Sequence, residues 1–353
     1  MKYSKSIKIW LFIGIVMVFI QVIVGGITRL TESGLSITKW EVVTGTLPPL
    51  SEGTWNDEFL KYKQTPQYLE VNEGMSLDDF KFIYFWEYIH RLWARVMGFV
   101  FLIPFIYFYS KGMMDKPLIR HLAVVVFFAF LAAIFGWIMV ASGLVDRPWV
   151  NAYKLSIHLL IAVCVFVALL WTYLKVLDIN PDMVFTGSNI LRTSYVFLGI
   201  ILFQLLLGGI LSGMKAAVIY PTWPDMNGSY LPDILFSKVE WKLSNFYNYD
   251  RNTFMPALIH FLHRNTAYLI LLFGVYLSFK LYKTCSESRY TYIKWLPYFI
   301  LGAILLQILL GIFTVINSKG AIPVSWGVMH QAGALGLMTV TVFTIFVLRI
   351  KKL

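Results

Sequence analysis

The chain has 353 residues, 58% of them hydrophobic and only 14% charged, with a mean hydropathy of +0.68. That composition excludes a soluble globular domain, because repeated apolar runs of about 20 residues are what ~30 Å of hydrocarbon demands. The net charge of +11 does not point to nucleic acid: the basic residues gather in short loops on one side, where membrane orientation puts them.

The N-terminus, Met1-Lys-Tyr-Ser-Lys5, runs into a long apolar stretch without a small-residue cleavage site and reads as a retained first span. Apolar periodicity predicts eight spans, at roughly 8–28, 84–109, 119–143, 152–175, 192–214, 257–279, 293–316 and 324–348. Alternate loops sort by charge. One side carries Lys2, Lys5 and Lys8, then Lys111, Lys116 and Arg120, then Lys175 and Arg192. It continues with Lys280, Lys283, Arg289 and Lys294 and ends at Arg349, Lys351 and Lys352. The positive-inside rule makes this the cytoplasmic face of a plasma (inner) membrane, with both termini inside. The other side holds two long segments, 29–83 and 215–256, and two short ones, around Asp146-Arg147-Pro148 and at 317–325. Segment 29–83 is acidic and carries Trp40 and Trp55, which predicts short helices lying on the outer surface. Cys164 falls in an apolar run and Cys285 in a polar loop, so neither a disulfide nor a cysteine metal site is indicated.

The chain also reads as a duplication. Spans 1–4 and 5–8 repeat one order: a span, a long outer segment, a span opening on histidine, a tight loop, a span, a short outer loop, a span with histidine. Gly25-Gly26 answers Gly208-Gly209. The expected fold is an all-α polytopic membrane protein of eight transmembrane helices, arranged as two four-helix bundles related by a pseudo-twofold. The N-terminal bundle spans 1–176 with outer segment 29–83, and the C-terminal bundle spans 177–353 with outer segment 215–256.

Four histidines carry the chemical signal. His90 and His158 are 68 residues apart, His263 and His330 are 67 apart, and the pairs are offset by 173 and 172. Each sits about six residues inside the outer end of its span, ~9 Å deep at 1.5 Å per residue. Pairs at matched depth suit two imidazoles approaching a porphyrin iron from opposite faces, and intramembrane ionisable groups are functional suspects by default. A single intramembrane histidine is as readily a hydrogen-bonding group between helices. His260, three positions before His263, is an alternative ligand on the same helix. His121, at the start of span 3, reads as an interfacial side chain. Glu87 lies three residues before His90, and its counterpart is His260. The N-terminal pocket is thus the candidate for chemistry, with Glu87 either a catalytic group or the ion-pair partner of Arg91, and the C-terminal pocket the candidate electron carrier. Arg29, Arg91, Arg95, Arg147, Arg264 and Lys215 stand where haem propionates or lipid head groups would meet them.

Several stretches resemble the haem A synthase family of the Cox15/CtaA type. They are Gly25-Gly-Ile-Thr-Arg-Leu-Thr-Glu-Ser-Gly-Leu35, Phe80-Lys-Phe-Ile-Tyr-Phe-Trp-Glu-Tyr-Ile-His-Arg91, Gly136-Trp-Ile-Met-Val-Ala-Ser-Gly-Leu144 and Leu155-Ser-Ile-His158. Pro221-Thr-Trp-Pro-Asp-Met226, His263-Arg264 and Met329-His-Gln331 extend the match, in order, to the C-terminus, and the long first outer segment is closer to the Cox15 branch. The resemblance implies an oxidoreductase of haem A biosynthesis, serving cytochrome c oxidase assembly. It would oxidise the C8 methyl of haem O to a formyl group by successive hydroxylation to a geminal diol that loses water. His263 and His330 would then ligate a resident haem b, His90 and His158 would flank the substrate haem, and Glu87 would act beside it as acid/base or cation stabiliser. Partners compatible with it are the lipid bilayer, a haem O synthase, a quinone as electron acceptor and further copies of the chain. Two departures stand out: the cysteine pair some members carry in the first outer segment is missing, and His260 occupies a place usually held by another polar residue. The rival readings are a di-haem cytochrome b-type carrier that oxidises quinol, which leaves Glu87 and the proline-rich segment 221–224 without a role, and a transporter, which has no span visibly broken in mid-membrane.

Overall fold

The computed structural model describes residues 3–38, 47–144, 147–177, 179, 188–286, 288 and 290–349. Lys2, Trp40, Asp146, Arg289, Lys351 and Lys352, singled out above, lie outside them. Eight helices are long and apolar enough to cross a membrane, and the chain is an all-α polytopic membrane protein. They are α1 (Lys5–Leu30), α2 (Leu77–Ser110), α3 (Lys116–Ala141), α4 (Ala152–Val176), α5 (Ser188–Gly213), α6 (Phe254–Cys285), α7 (Leu296–Ile316) and α8 (Val324–Arg349).

Side-chain caps decide where several of them begin, because the first backbone N–H groups of a helix have no partner inside it. Ser4 accepts from Ile7, Ser76 from Asp79, Asp115 from Leu118, and Asn151 from Tyr153 and Lys154. The cap at Ser76 explains the largest departure from the expected spans. Helix α2 starts seven residues before position 84 because its first turn, with Asp78 and Asp79, is polar and invisible to hydropathy. Helix α6 likewise runs past 279 to Cys285, which is buried in the helix and not in a polar loop.

Helices α1, α4, α5 and α8 form the centre: α1 packs on α4 and α8, and α5 packs on α4 and α8. Small residues let these helices approach closely. A Cβ added at Gly209 or Gly213 of α5 would lie 2.8 Å from Ser156 or 2.6 Å from Ala152 of α4, and one at Gly26 of α1 would lie 2.8 Å from Gln331 of α8. The outer helices lean on this centre, α2 on α1, α3 on α4, α6 on α5 and α7 on α8. One asymmetry breaks the repetition. Helices α6 and α7 pack along their length, whereas α2 and α3 barely touch. In the same sense, a Cβ on Gly274 of α6 would strike Ile304 of α7, while Gly98 of α2 faces nothing within 4 Å.

The segments before α2 and α6 gather at one end of the molecule. Helices Glu52–Tyr62 and Pro66–Glu70 pack on the start of α2 through Phe59, Tyr62, Phe80 and Tyr84. Burial pushes the Tyr62 phenol up to about 12, so it stays a neutral hydroxyl; it donates to Gln67 and accepts from Asn72. Short helices between 216 and 251 pack on the start of α6, and the Tyr249 hydroxyl accepts from the Ala152 N–H at the head of α4.

Candidate functional site

A cavity of about 1440 Å³ runs through the molecule and takes lining residues from all eight helices. It exceeds the roughly 300–1,000 Å³ of a pocket for one small ligand. His90, His158, His263 and His330 all line it. The His263 and His330 rings lie 6.3 Å apart between centroids at an interplanar angle of 77°. With metal–imidazole bonds of about 2 Å and about another 1 Å from each nitrogen to its ring centre, two imidazoles sharing one metal stand about 6 Å apart. The separation fits. On the same helix His260 also lines the cavity but is buried against the Tyr220 ring at 6.2 Å, whereas His263 is the one that faces His330. His121 is partly buried on α3 and does not line the cavity.

Each histidine ring rests on a glycine of the preceding long helix. Cβ atoms added at Gly25, Gly136 and Gly208 would each come within 3.1 Å of His90, His158 and His263 respectively, and one at Gly311 within 2.9 Å of His330. Any larger residue would push the ring into the cavity, so these glycines serve close approach. The doubled glycines divide the work: Gly25 and Gly208 face the rings, while Gly26 and Gly209 face the neighbouring helices α8 and α4. The Nδ1 atoms of His158, His263 and His330 are buried and meet no side-chain partner. Among the described residues no group of three or more His, Cys, Asp or Glu could hold a bare metal ion. Two facing imidazoles are too few donors for such an ion and suffice for a tetrapyrrole, which brings its own four nitrogens. The pairs, the glycine cradle and the donor set therefore fit haem.

Glu87 lines the cavity and is 2% exposed. Its Oε2 accepts from the Ser36 hydroxyl at 2.7 Å and the Ile37 N–H at 2.8 Å, and its Oε1 accepts from Arg91 at 2.5 Å. The ion pair with Arg91 is thus present, and through it α2 holds the chain that leaves α1. Of the six basic residues expected near propionates, Arg29, Arg91, Arg95, Arg264 and Lys215 line the cavity. Arg147 does not; it pairs with Asp250 at 3.3 Å and lies over the Tyr249 ring. Arg264 donates to the carbonyls of Pro224 and Tyr230, binding the 221–230 turn to the histidine helix. Arg29 donates to the carbonyls of Ser212 and Gly213 at the end of α5, where the helix dipole favours a cation, and Lys215 pairs with Glu32.

Sequence reasoning missed the part played by the glycines and by three glutamines, Gln21, Gln204 and Gln307, each of which donates to the main-chain carbonyl of a site histidine. The signal was present: Gln-x-x-x-Gly recurs in spans 1, 5 and 7, each time one span before a histidine.

The family described as cytochrome oxidase assembly protein, COX15-CtaA, matches residues 8–342. A protein of Parvibaculum lavamentivorans named heme A synthase is 40% identical over 336 residues, covering 95% of this chain and 92% of its own length. Its namesake from Flavobacterium psychrophilum is 38% identical over 351 residues and covers 98% of each chain. A Bradyrhizobium protein of the same name is 38% identical over 342 residues, 96% of this chain and 90% of its own.

Proposed function

The chain belongs to the COX15-CtaA family of cytochrome oxidase assembly proteins, and from that premise we propose that it is the oxidoreductase that converts haem O to haem A. The reaction oxidises the C8 methyl to a formyl group by successive hydroxylation to a geminal diol that loses water. The observation that carries the reading is a pair of facing imidazoles, His263 and His330, 6.3 Å apart, in one cavity with a second pair, His90 and His158. His263 and His330 would hold a resident haem b, which supplies one-electron redox chemistry when bound. His90 and His158 bind the substrate haem, and Glu87 presents a carboxylate beside it. Arg29, Arg91, Arg95, Arg264 and Lys215 supply cationic groups for propionates. The decisive experiment is haem extraction and chromatography from a host that makes haem O, with and without this gene. Haem A should appear only with the gene; haem O alone in both would refute the assignment, and two permanently bound, unmodified haems would favour the quinol-oxidising carrier.

Each half is a four-helix bundle, 1–176 for the substrate and 177–353 for haem b, and the two are related by a pseudo-twofold. Two contacts support this. Arg29 meets Ser212 and Glu32 meets Lys215, and both pairs are separated by 183 positions, the same offset that relates Gly25 to Gly208. Residues touch their own counterparts only near a twofold axis. The basic loops support a topology with both termini on the cytoplasmic side of a plasma membrane and the haem pockets toward the other.

The opening between α2 and α3 gives the substrate bundle the access that the haem b bundle lacks, as suits a pocket that must exchange its occupant. Gly98→Trp would put bulk into the cavity that Gly98 lines, from a position where nothing lies within 4 Å of the added Cβ. Competition for the volume costs about 1–3 kcal/mol, hence about ten- to a hundredfold in haem O conversion, with haem b content unchanged. Loss of haem b in equal measure would remove the distinction between the pockets. Gly311→Val acts oppositely. Its added carbons press on His330, and haem b retention should fall while helical content, read by circular dichroism, stays constant.

A further inference from the structure

One helical turn before each ring-facing glycine stands a residue that addresses the same histidine. Three of the four are glutamines. Gln21 donates to the His90 carbonyl at 3.2 Å, Gln204 to that of His263 at 2.9 Å and Gln307 to that of His330 at 2.9 Å. In all three the amide oxygen Oε1 is buried without a hydrogen-bond partner. The fourth place, before Gly136 and facing His158, is Ala132.

We propose that Gln21, Gln204 and Gln307 are positioning residues that fasten three histidines as haem ligands, and that Ala132 leaves His158 as the exchangeable ligand of the substrate pocket. The inference rests on the reading that the two pairs hold haem. The amide N–H ties the main chain of the histidine to the preceding helix, so the ring cannot swing with its own backbone. In Gln204 the same amide nitrogen also lies 3.3 Å from the His263 Nε2. A histidine ligating through Nε2 must place its Nδ1–H, and an acceptor there fixes ring orientation and strengthens the ligand. The rings of His263 and His330 meet such an acceptor in the main chains of Gln204 and Gln307. The His158 ring meets the main chain of Ala132 in the same way, but there a methyl group stands in the place of the amide that would tie the histidine's own carbonyl. The difference falls in the bundle that is open between α2 and α3, from which a product must leave. Two firm ligands would trap it; one firm and one loose ligand bind it and let it go.

The test is the rate at which iron protoporphyrin IX, loaded into the full-length protein in detergent, transfers to excess apomyoglobin. Two kinetic phases are expected. His158→Ala should abolish the faster one and thereby assign it. Ala132→Gln should slow that phase by about 10–100-fold, the usual weight of an outer-shell partner, and sharpen the low-spin bis-imidazole signature in the electron paramagnetic resonance spectrum. Gln307→Leu should speed the slower phase by a similar factor and shift the haem b midpoint potential at unchanged helical content. Gln307→Glu, which keeps the length but loses the amide N–H that meets the His330 carbonyl, should speed that phase as Gln307→Leu does. If His158→Ala removes the fast phase but Ala132→Gln and Gln307→Leu leave both rates as they were, the positioning role is overturned and the ligand assignment stands. If His158→Ala changes neither phase, the ligand assignment itself falls.

Discussion

Alanine at His263 or His330 should strip the purified protein of haem b, with pyridine haemochrome absorbance falling to a small fraction of the wild-type value. The rings face each other at 6.3 Å, and neither is replaceable from nearby: His260 is engaged with Tyr220, and no other histidine lies on α6 or α8. Changing an outer-shell partner typically costs about 10–100-fold in metal affinity, so removal of an axial ligand itself should exceed that. The fold should survive. The apolar core of the bundles is made by residues such as Leu11, Phe166, Phe197, Leu277, Ile300 and Met338, none of which touches the function of the rings. His260→Ala should keep its haem b, and His90→Ala should keep haem b but lose haem O conversion. A haem-replete His330→Ala beside a haem-free His90→Ala would exchange the roles of the two bundles.

The eight helices were legible because a bilayer forces length and hydropathy together; their ends were legible only where a charged residue marked them. Ser76 and the acidic turn after it belong to α2 although hydropathy stops at Tyr84, and Lys280 and Lys283 continue α6. The histidines were legible because imidazole in an apolar run is conspicuous and its spacing repeats. Their supports were not. A glycine in an apolar helix reads as a packing residue, and which residue it packs against depends on the neighbouring helix, information that a linear reading of one span lacks. Gln21, Gln204 and Gln307 are inconspicuous for a related reason: each acts on a main-chain carbonyl, which every residue has. Arg147 illustrates the reverse error. Charge and position placed it with the cavity cations, but Asp250 and Tyr249, distant in sequence, draw it to the outside of the bundle.

Glu87→Ala should leave haem b content near the wild-type level and stop the oxidation of haem O before the aldehyde, a loss of about 10²–10⁴-fold if the carboxylate serves as acid/base or stabilises developing positive charge. Chromatography of extracted haems, which separates haem O, its hydroxylated form and haem A, reads the step at which conversion halts. The same carboxylate also holds structure, so the two roles must be separated. Alanine would remove the carboxylate that accepts from the Arg91 guanidinium, the Ser36 hydroxyl and the Ile37 N–H, and breaking a buried ion pair costs about 3–5 kcal/mol. Ser36→Ala removes one strand of that latch and nothing from the cavity, at a cost of about 1.5–3 kcal/mol for a hydrogen bond to a charged group. If Glu87 does chemistry, Ser36→Ala stays active within a few-fold while Glu87→Gln, which keeps the shape and loses the charge, is as inactive as Glu87→Ala. If Glu87 only fastens the chain after α1 to α2, Ser36→Ala should fail alongside it and Glu87→Gln should retain most of the activity. The expected result is the first, in which charge, rather than the hydrogen bonds it anchors, is what the substrate pocket requires of this residue.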